Sequence, residues 1–233
     1  MTEDDKYKVP AAAAGDAAHA LAKGAVGAVP YAGGFLAELL QIVVAPPLEK
    51  RKAEWMNGVA EGLKKLEEKV EGFSVENLKD NEQFISTVVS ASQAAIKTHE
   101  QEKLEALRSA VLNVAKGSGL TADQEAMFLG FIERYTPWHL RILRLFQSPL
   151  SLAAEKGIRP ENFNIGSRTQ LVEIYYPELR GEGQFYARIV ADLGSDGMLG
   201  VKDLAGMISA QGMFQTITTE WADRFLRFVT SPV

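Results

Sequence analysis

The chain has 233 residues, 46% of them hydrophobic, which is enough for one large domain or two small ones with a sizeable core. It contains no cysteine, which excludes disulfides, thiolate metal sites and cysteine nucleophiles and accords with a reducing compartment. Its formal charge of -5 argues against a polyanionic partner, since phosphate contacts draw on an excess of Lys and Arg; DNA is not an expected ligand.

Residues 1–16, "MTEDDKYKVPAAAAGD", are acidic where a secretory signal is basic, and their alanine run is too short for its apolar region. The expectation is a flexible tail on a cytoplasmic protein. Residues 24–45, "GAVGAVPYAGGFLAELLQIVVA", carry one charge, Glu38. Their length matches the roughly 20 residues that cross a bilayer, and Gly24 with Gly27 allows close helix packing. Against insertion, Pro30 and Gly33-Gly34 break the run, and Glu38 and Gln41 sit in its more apolar half. The continuous part, "GFLAELLQIVVA", has the length of a buried core helix, so two short buried helices around a bend are expected.

The stretch "PPLEKRKAEWMNGVAEGLKKLEEKVEGF" predicts a long helix from Leu48 to Phe73. Trp55, Val59, Leu63, Leu66, Val70 and Phe73 fall on one seam and Glu/Lys pairs on the solvated faces. Next, "DNEQFISTVVSASQAAIK" offers Asp80 and Gln83 as a capping box, with Phe84, Ile85, Val88, Val89 and Ile96 on one side. "THEQEKLEALRSAVLNVAKG" repeats the device with Thr98 and Gln101, carries Leu104, Leu107, Val111 and Val114, and stops at Gly117; the two stretches read as one kinked helix or two. Thr121 with Gln124 caps "TADQEAMFLGFIERY", Thr136-Pro137 starts "TPWHLRILRLF", and Ser148-Pro149 starts a short helix ending near Gly157. Short connections favour antiparallel neighbours.

"GIRPENFNIG", residues 157–166, has turn residues and no apolar period, and is the expected linker. Beyond it, Ser167 with Gln170 caps "SRTQLVEIYY", Pro177 ends it, and "GQFYARIVADL" is the next helix. "GVKDLAGMIS" reads as helical and residues 213–218 as a strand, its partner placed around Met198 to Val201. Thr219 caps the closing helix, with Trp221, Phe225, Leu226, Phe228 and Val229 available to the core.

"PPLEKR", "LEALRSAVLN", "TPWHLRIL" and "QGMFQTITTEWADRFLRFV" resemble landmarks of a group of uncharacterised bacterial helical proteins. The resemblance covers most of the chain from Val29. It implies an all-helical body with a winged-helix-like tail and carries no activity or site residue with it.

Residues 192–203, "DLGSDGMLGVKD", partly match a calcium-binding loop through Asp192, Asp196, Gly197 and Asp203. Gly194 and Gly200 lack the side-chain oxygens that such a loop needs, so a glycine-rich turn between helices is expected and no metal. His19, His99 and His139 belong to no spaced ligand set, and no nucleophile elbow, phosphate loop or dinucleotide turn is present. In "ERYTPWHLRILRLF", Arg134, Arg141 and Arg144 accompany Trp138 and His139, a combination that suits an acidic partner or lipid headgroups; the plainer reading is an exposed basic face with internal ion pairs. Residues 168–233 hold six Lys and Arg against eight Asp and Glu, too few bases to read duplex DNA.

The expected fold is mainly α: an irregular helical bundle followed by a small winged-helix-like α+β module. The expected division is tail 1–16, α-helical domain 17–156, linker 157–166 and module 167–233. The expected function is non-enzymatic: an adaptor or regulatory protein acting in the cytoplasm on a protein partner, with no cofactor. The alternative is a membrane-inserting helical effector using residues 24–45.

Overall fold

A computed structural model describes residues 49–233 of the chain; the expected tail 1–16 and the apolar stretch 24–45 lie outside the described residues. Two compact units are present, one running to Glu133 and taking in Phe228–Val233, the other spanning Arg134–Arg227. The stretch 157–166 lies inside the second unit. Its neighbourhood is ordered by contacts that no local pattern announces: the Phe163 ring meets Phe214 edge-on at 5.5 Å, and Ile165–Gly166 is a strand.

The first unit is helical. Helix α1 (Glu49–Lys69) packs on α2 (Glu82–Ile96) and α3 (Gln101–Lys116), which also pack on each other; α4 (Ala122–Arg134) follows. The seam of α1 is buried at Trp55, Val59, Leu63 and Leu66, each contributing about 1.5–3 kcal/mol by leaving water. Val70 and Phe73 fall beyond the helix end and are half-buried. Trp55 also donates its indole N–H to the Leu104 carbonyl at 3.2 Å. On the facing side of α1, Gly58 and Gly62 leave room for α3: a Cβ at Gly62 would stand 2.5 Å from Leu112 Cδ1.

α2 and α3 are separate helices. The α2 cap is Asn81, whose side chain accepts from the Phe84 N–H at 3.0 Å, rather than Asp80 one residue earlier. Glu100 occupies the N-cap of α3, and Thr98 instead accepts from the Glu100 N–H in the bend between them. At α4 the expected box closes in both directions, Gln124 N–H to Thr121 Oγ1 at 3.3 Å and Thr121 N–H to Gln124 Oε1 at 3.2 Å. The end of the chain is held in this unit by Asn113, whose amide donates to the carbonyls of Phe228 and Thr230 at 2.9 Å.

The second unit is built around α5 (Pro137–Gln147), whose Leu140, Ile142, Leu143, Leu145 and Phe146 are buried. It is followed by α6 (Pro149–Glu155), strand β1 (Ile165–Gly166), α7 (Arg168–Tyr175) and α8 (Gly183–Ser195), which packs on α5. Strand β2 (Ile208–Ser209), α9 (Ala210–Met213) and α10 (Glu220–Phe228) complete the order, the last residue of α10 belonging to the first unit. Ser167 and Thr219 cap α7 and α10 as expected, accepting from Gln170 N–H and Ala222 N–H at 3.2 Å.

Two expectations for this unit are corrected. "GVKDLAGMIS" is not a helix: Asp203 Oδ1 accepts from the Ala205 N–H at 3.0 Å, a local turn that competes with helix, and Ile208–Ser209 pairs with β1 antiparallel. Residues 213–218 are not a strand. Ser209 caps the short α9 through Gly212 N–H, and only Thr218 retains ladder character, in a single antiparallel bridge to Leu199. The partner segment lies where expected, with Gly200 N–H donating to the Ile217 carbonyl and Thr219 N–H to that of Met198. Among the described residues no helix is long and apolar enough to cross a membrane.

Candidate functional site on the fifth helix

The first turn of α5 brings together two arrangements, one buried and one at the surface. Thr136 precedes Pro137, whose missing N–H costs nothing in a first turn. His139 takes the place that Glu or Gln occupies in the common capping box: its Nδ1 accepts from the Thr136 backbone N–H at 3.1 Å. That bond assigns the remaining proton to Nε2, which faces Asp192 Oδ2 at 3.7 Å. The imidazole stacks on Tyr135 with centroids 4.7 Å apart and planes 7° from parallel.

The Tyr135 hydroxyl donates to Asp196 Oδ2 at 2.7 Å, and Arg134 pairs with the same oxygen. Asp192 is held in turn by Arg188, one helical turn earlier, at 2.9 Å. Burial lowers the basicity of His139 more than the nearby Asp192 and Asp196 raise it, and burial first, then the bond to Asp196, pushes the Tyr135 hydroxyl upward. The cluster therefore joins α5 to the end of α8. Because α8 continues through Ser195, Asp192 and Asp196 project from a helix and its last turn, not from a cation-binding loop. Among the described residues no group of acidic or histidine side chains converges as a metal set.

A pH dependence follows. The folded state holds His139 neutral below its ordinary pKa, so between the two values the unfolded chain binds the extra proton and stability is lost as the pH is lowered. Denaturant midpoints of the second unit are expected to drop from about pH 7.5 to about pH 5.5. His139→Gln keeps an acceptor for the Thr136 N–H and should flatten that profile. An equally steep profile in the variant would assign the titration to another group.

At the surface, Trp138 is half-buried with the Arg141 guanidinium 4.7 Å from its ring centroid. Tyr176 meets the same indole edge-on at 5.3 Å, donates its hydroxyl to the Arg141 carbonyl at 3.1 Å, and carries the Lys156 ammonium 5.2 Å from its own centroid. Two cations thus rest on two aromatic rings whose positions are fixed by α5 and by the turn before Pro177. Arg144 is exposed one turn along α5.

The five residues singled out in the sequence are therefore divided. Trp138 and Arg141 share one surface, with Arg144 exposed on the same helix. His139, 6% exposed, is a core residue, and Arg134 is tied to Asp196. Tyr135, Lys156 and Tyr176 were not anticipated, and Asp192 and Asp196 were singled out only as positions of a partial calcium-loop match, not as partners of α5. The one local signal was the spacing of Asp192 and Asp196 by four, which on a helix places both on one face. No protein-family model matches the chain, and no curated protein or solved structure matches it either.

Proposed function

We propose that the protein is a non-enzymatic interaction protein, an adaptor or regulator, whose α5 surface recognises an acidic segment of a protein partner. The observation that carries this reading is the Trp138–Arg141–Tyr176–Lys156 pile, in which cations are held against aromatic faces and partly preorganised for a carboxylate. Preorganisation lowers the entropy lost on binding, and aromatic and Arg side chains are those on which binding energy concentrates. The use of both His139 nitrogens in the fold favours a structural over a catalytic role for the most chemically capable side chain nearby. Residues 167–233 we read as winged-helix-like on the strength of the Leu199–Thr218 bridge between α8 and α10, with protein rather than duplex DNA as partner.

The test is binding of Glu- and Asp-rich peptides to the full chain across a salt series. Arg141→Glu with Arg144→Glu is expected to weaken binding by about tenfold or more and to lower its salt dependence. Unchanged affinity in that variant would reject the surface.

A further inference from the structure

His139 holds the first turn of α5 through a bond that depends on its charge. Nδ1 accepts the Thr136 N–H at 3.1 Å, and the Thr136 hydroxyl lies 3.0 Å from the same nitrogen. The lone pair on Nδ1 is the imidazole's one remaining place for a proton, because Nε2 already carries its own toward Asp192. A proton added there turns Nδ1 from acceptor into donor and sets two N–H groups against each other. The Thr136 N–H then loses its partner, while the Thr136 hydroxyl is the acceptor within reach of Nδ1 and Asp192 the counter-charge on the other side of the ring.

Among the described residues, the charged and titratable groups that face the imidazole are Asp192 and Asp196 from α8 and Arg134 and Tyr135 from the segment leading into α5, with Arg188 behind Asp192. Asp192 and Asp196 favour the added proton; burial and Arg134 oppose it. The consequence falls on the partner surface. Trp138 lies between Thr136 and His139, and Arg141 follows two residues later, so a first turn without its cap frays beneath the ring and the cation stacked on it.

Taking the α5 surface as the partner site, we propose that the Thr136–His139 bond is an acid-sensitive latch, which holds that surface ready near neutral pH and releases the acidic partner when His139 takes up a proton. The sign sets this apart from plain charge attraction. Peptide carboxylates stay largely ionised above about pH 5, so an added positive charge alone would tighten an acidic partner, whereas loss of the cap loosens it.

The experiment measures the affinity of the full chain for a Glu-rich peptide by calorimetry from pH 7.5 to pH 5, with resonance titrations of the peptide-free chain in parallel. Affinity is expected to fall by about threefold or more as the pH is lowered. By reciprocity, saturating peptide should move the titration of the His139 ring to lower pH. His139→Gln keeps an acceptor for the Thr136 N–H without titrating and should bind as tightly at pH 5 as at pH 7.5, whereas His99→Gln, at an exposed histidine, should keep the profile of the unaltered chain. In the free chain the Thr136 amide and the Trp138 indole resonances should move together with the His139 ring. Affinity that holds or rises at pH 5, a loss that persists in His139→Gln, or a His139 titration that leaves Thr136 and Trp138 still would overturn the latch. Absence of binding at pH 7.5 would instead reject the α5 surface as the partner site, and the latch would then stand or fall on the free-chain resonances.

Discussion

Gly62→Leu is expected to destabilise the first unit by about 3 kcal/mol, whereas the identical change at Gly130 is expected to stabilise it by about 0.5–1 kcal/mol. Both glycines sit inside helices, where replacing glycine recovers backbone entropy and propensity alone predicts a gain at each. Packing decides the sign. The first atom added to Gly62 would stand 2.5 Å from Leu112 Cδ1 and 2.9 Å from Cδ2, and Leu112 is 2% exposed, so it has nowhere to retreat without disturbing α3. At Gly130 nothing lies within 4 Å of the added Cβ. Denaturant unfolding of the two variants measures the difference, and a shift of the same sign in both would show that α1 and α3 do not meet as described.

Asp196→Ala is expected to lower the stability of the second unit by about 2–3 kcal/mol. The loss comes chiefly from Tyr135, which is 1% exposed and gives up the acceptor of its hydroxyl, not from the ion pair with Arg134, whose side chain is 59% exposed and screened by water. The two contributions separate in a cycle. If the hydroxyl carries the cost, Tyr135→Phe added to Asp196→Ala should recover part of the lost stability, because the buried donor is gone. If the ion pair carries it, Arg134→Ala alone should reproduce the effect of Asp196→Ala.

Helix positions were legible wherever a local rule operated alone. The Trp55–Leu66 seam, the Thr121–Gln124 box and the Ser167 and Thr219 caps are written in three- and four-residue spacings, and each is realised. Where two adjacent residues could perform the same task the reading slipped, as when Asn81 rather than Asp80 capped α2. The segment 201–209 has a helical period, but Asp203 satisfies a backbone N–H by itself and Leu204 gives its carbonyl to Thr169, a partner far along the chain. β1 and β2 span two residues each, too short for any alternation to appear.

The α5 surface was half legible for the same reason. Trp138, Arg141 and Arg144 stand together in the sequence, but the ring that fixes Trp138 comes from Tyr176 and the second cation from Lys156, placed there by tertiary packing alone. His139 read as a surface neighbour of Trp138 because adjacency in sequence does not say which way a helical side chain points. The turn geometry at Thr136 sends it inward.

The central claim, that the α5 surface is where a partner binds, is tested most directly by titrating an isotopically labelled chain with an acidic peptide while following the Trp138 indole and the arginine side-chain resonances. Recognition at this surface predicts saturable shifts of Trp138, Arg141 and the neighbouring α5 amides that vanish in Arg141→Glu/Arg144→Glu. Saturable shifts elsewhere with Trp138 and Arg141 unmoved, or no shifts at any peptide concentration, would contradict it.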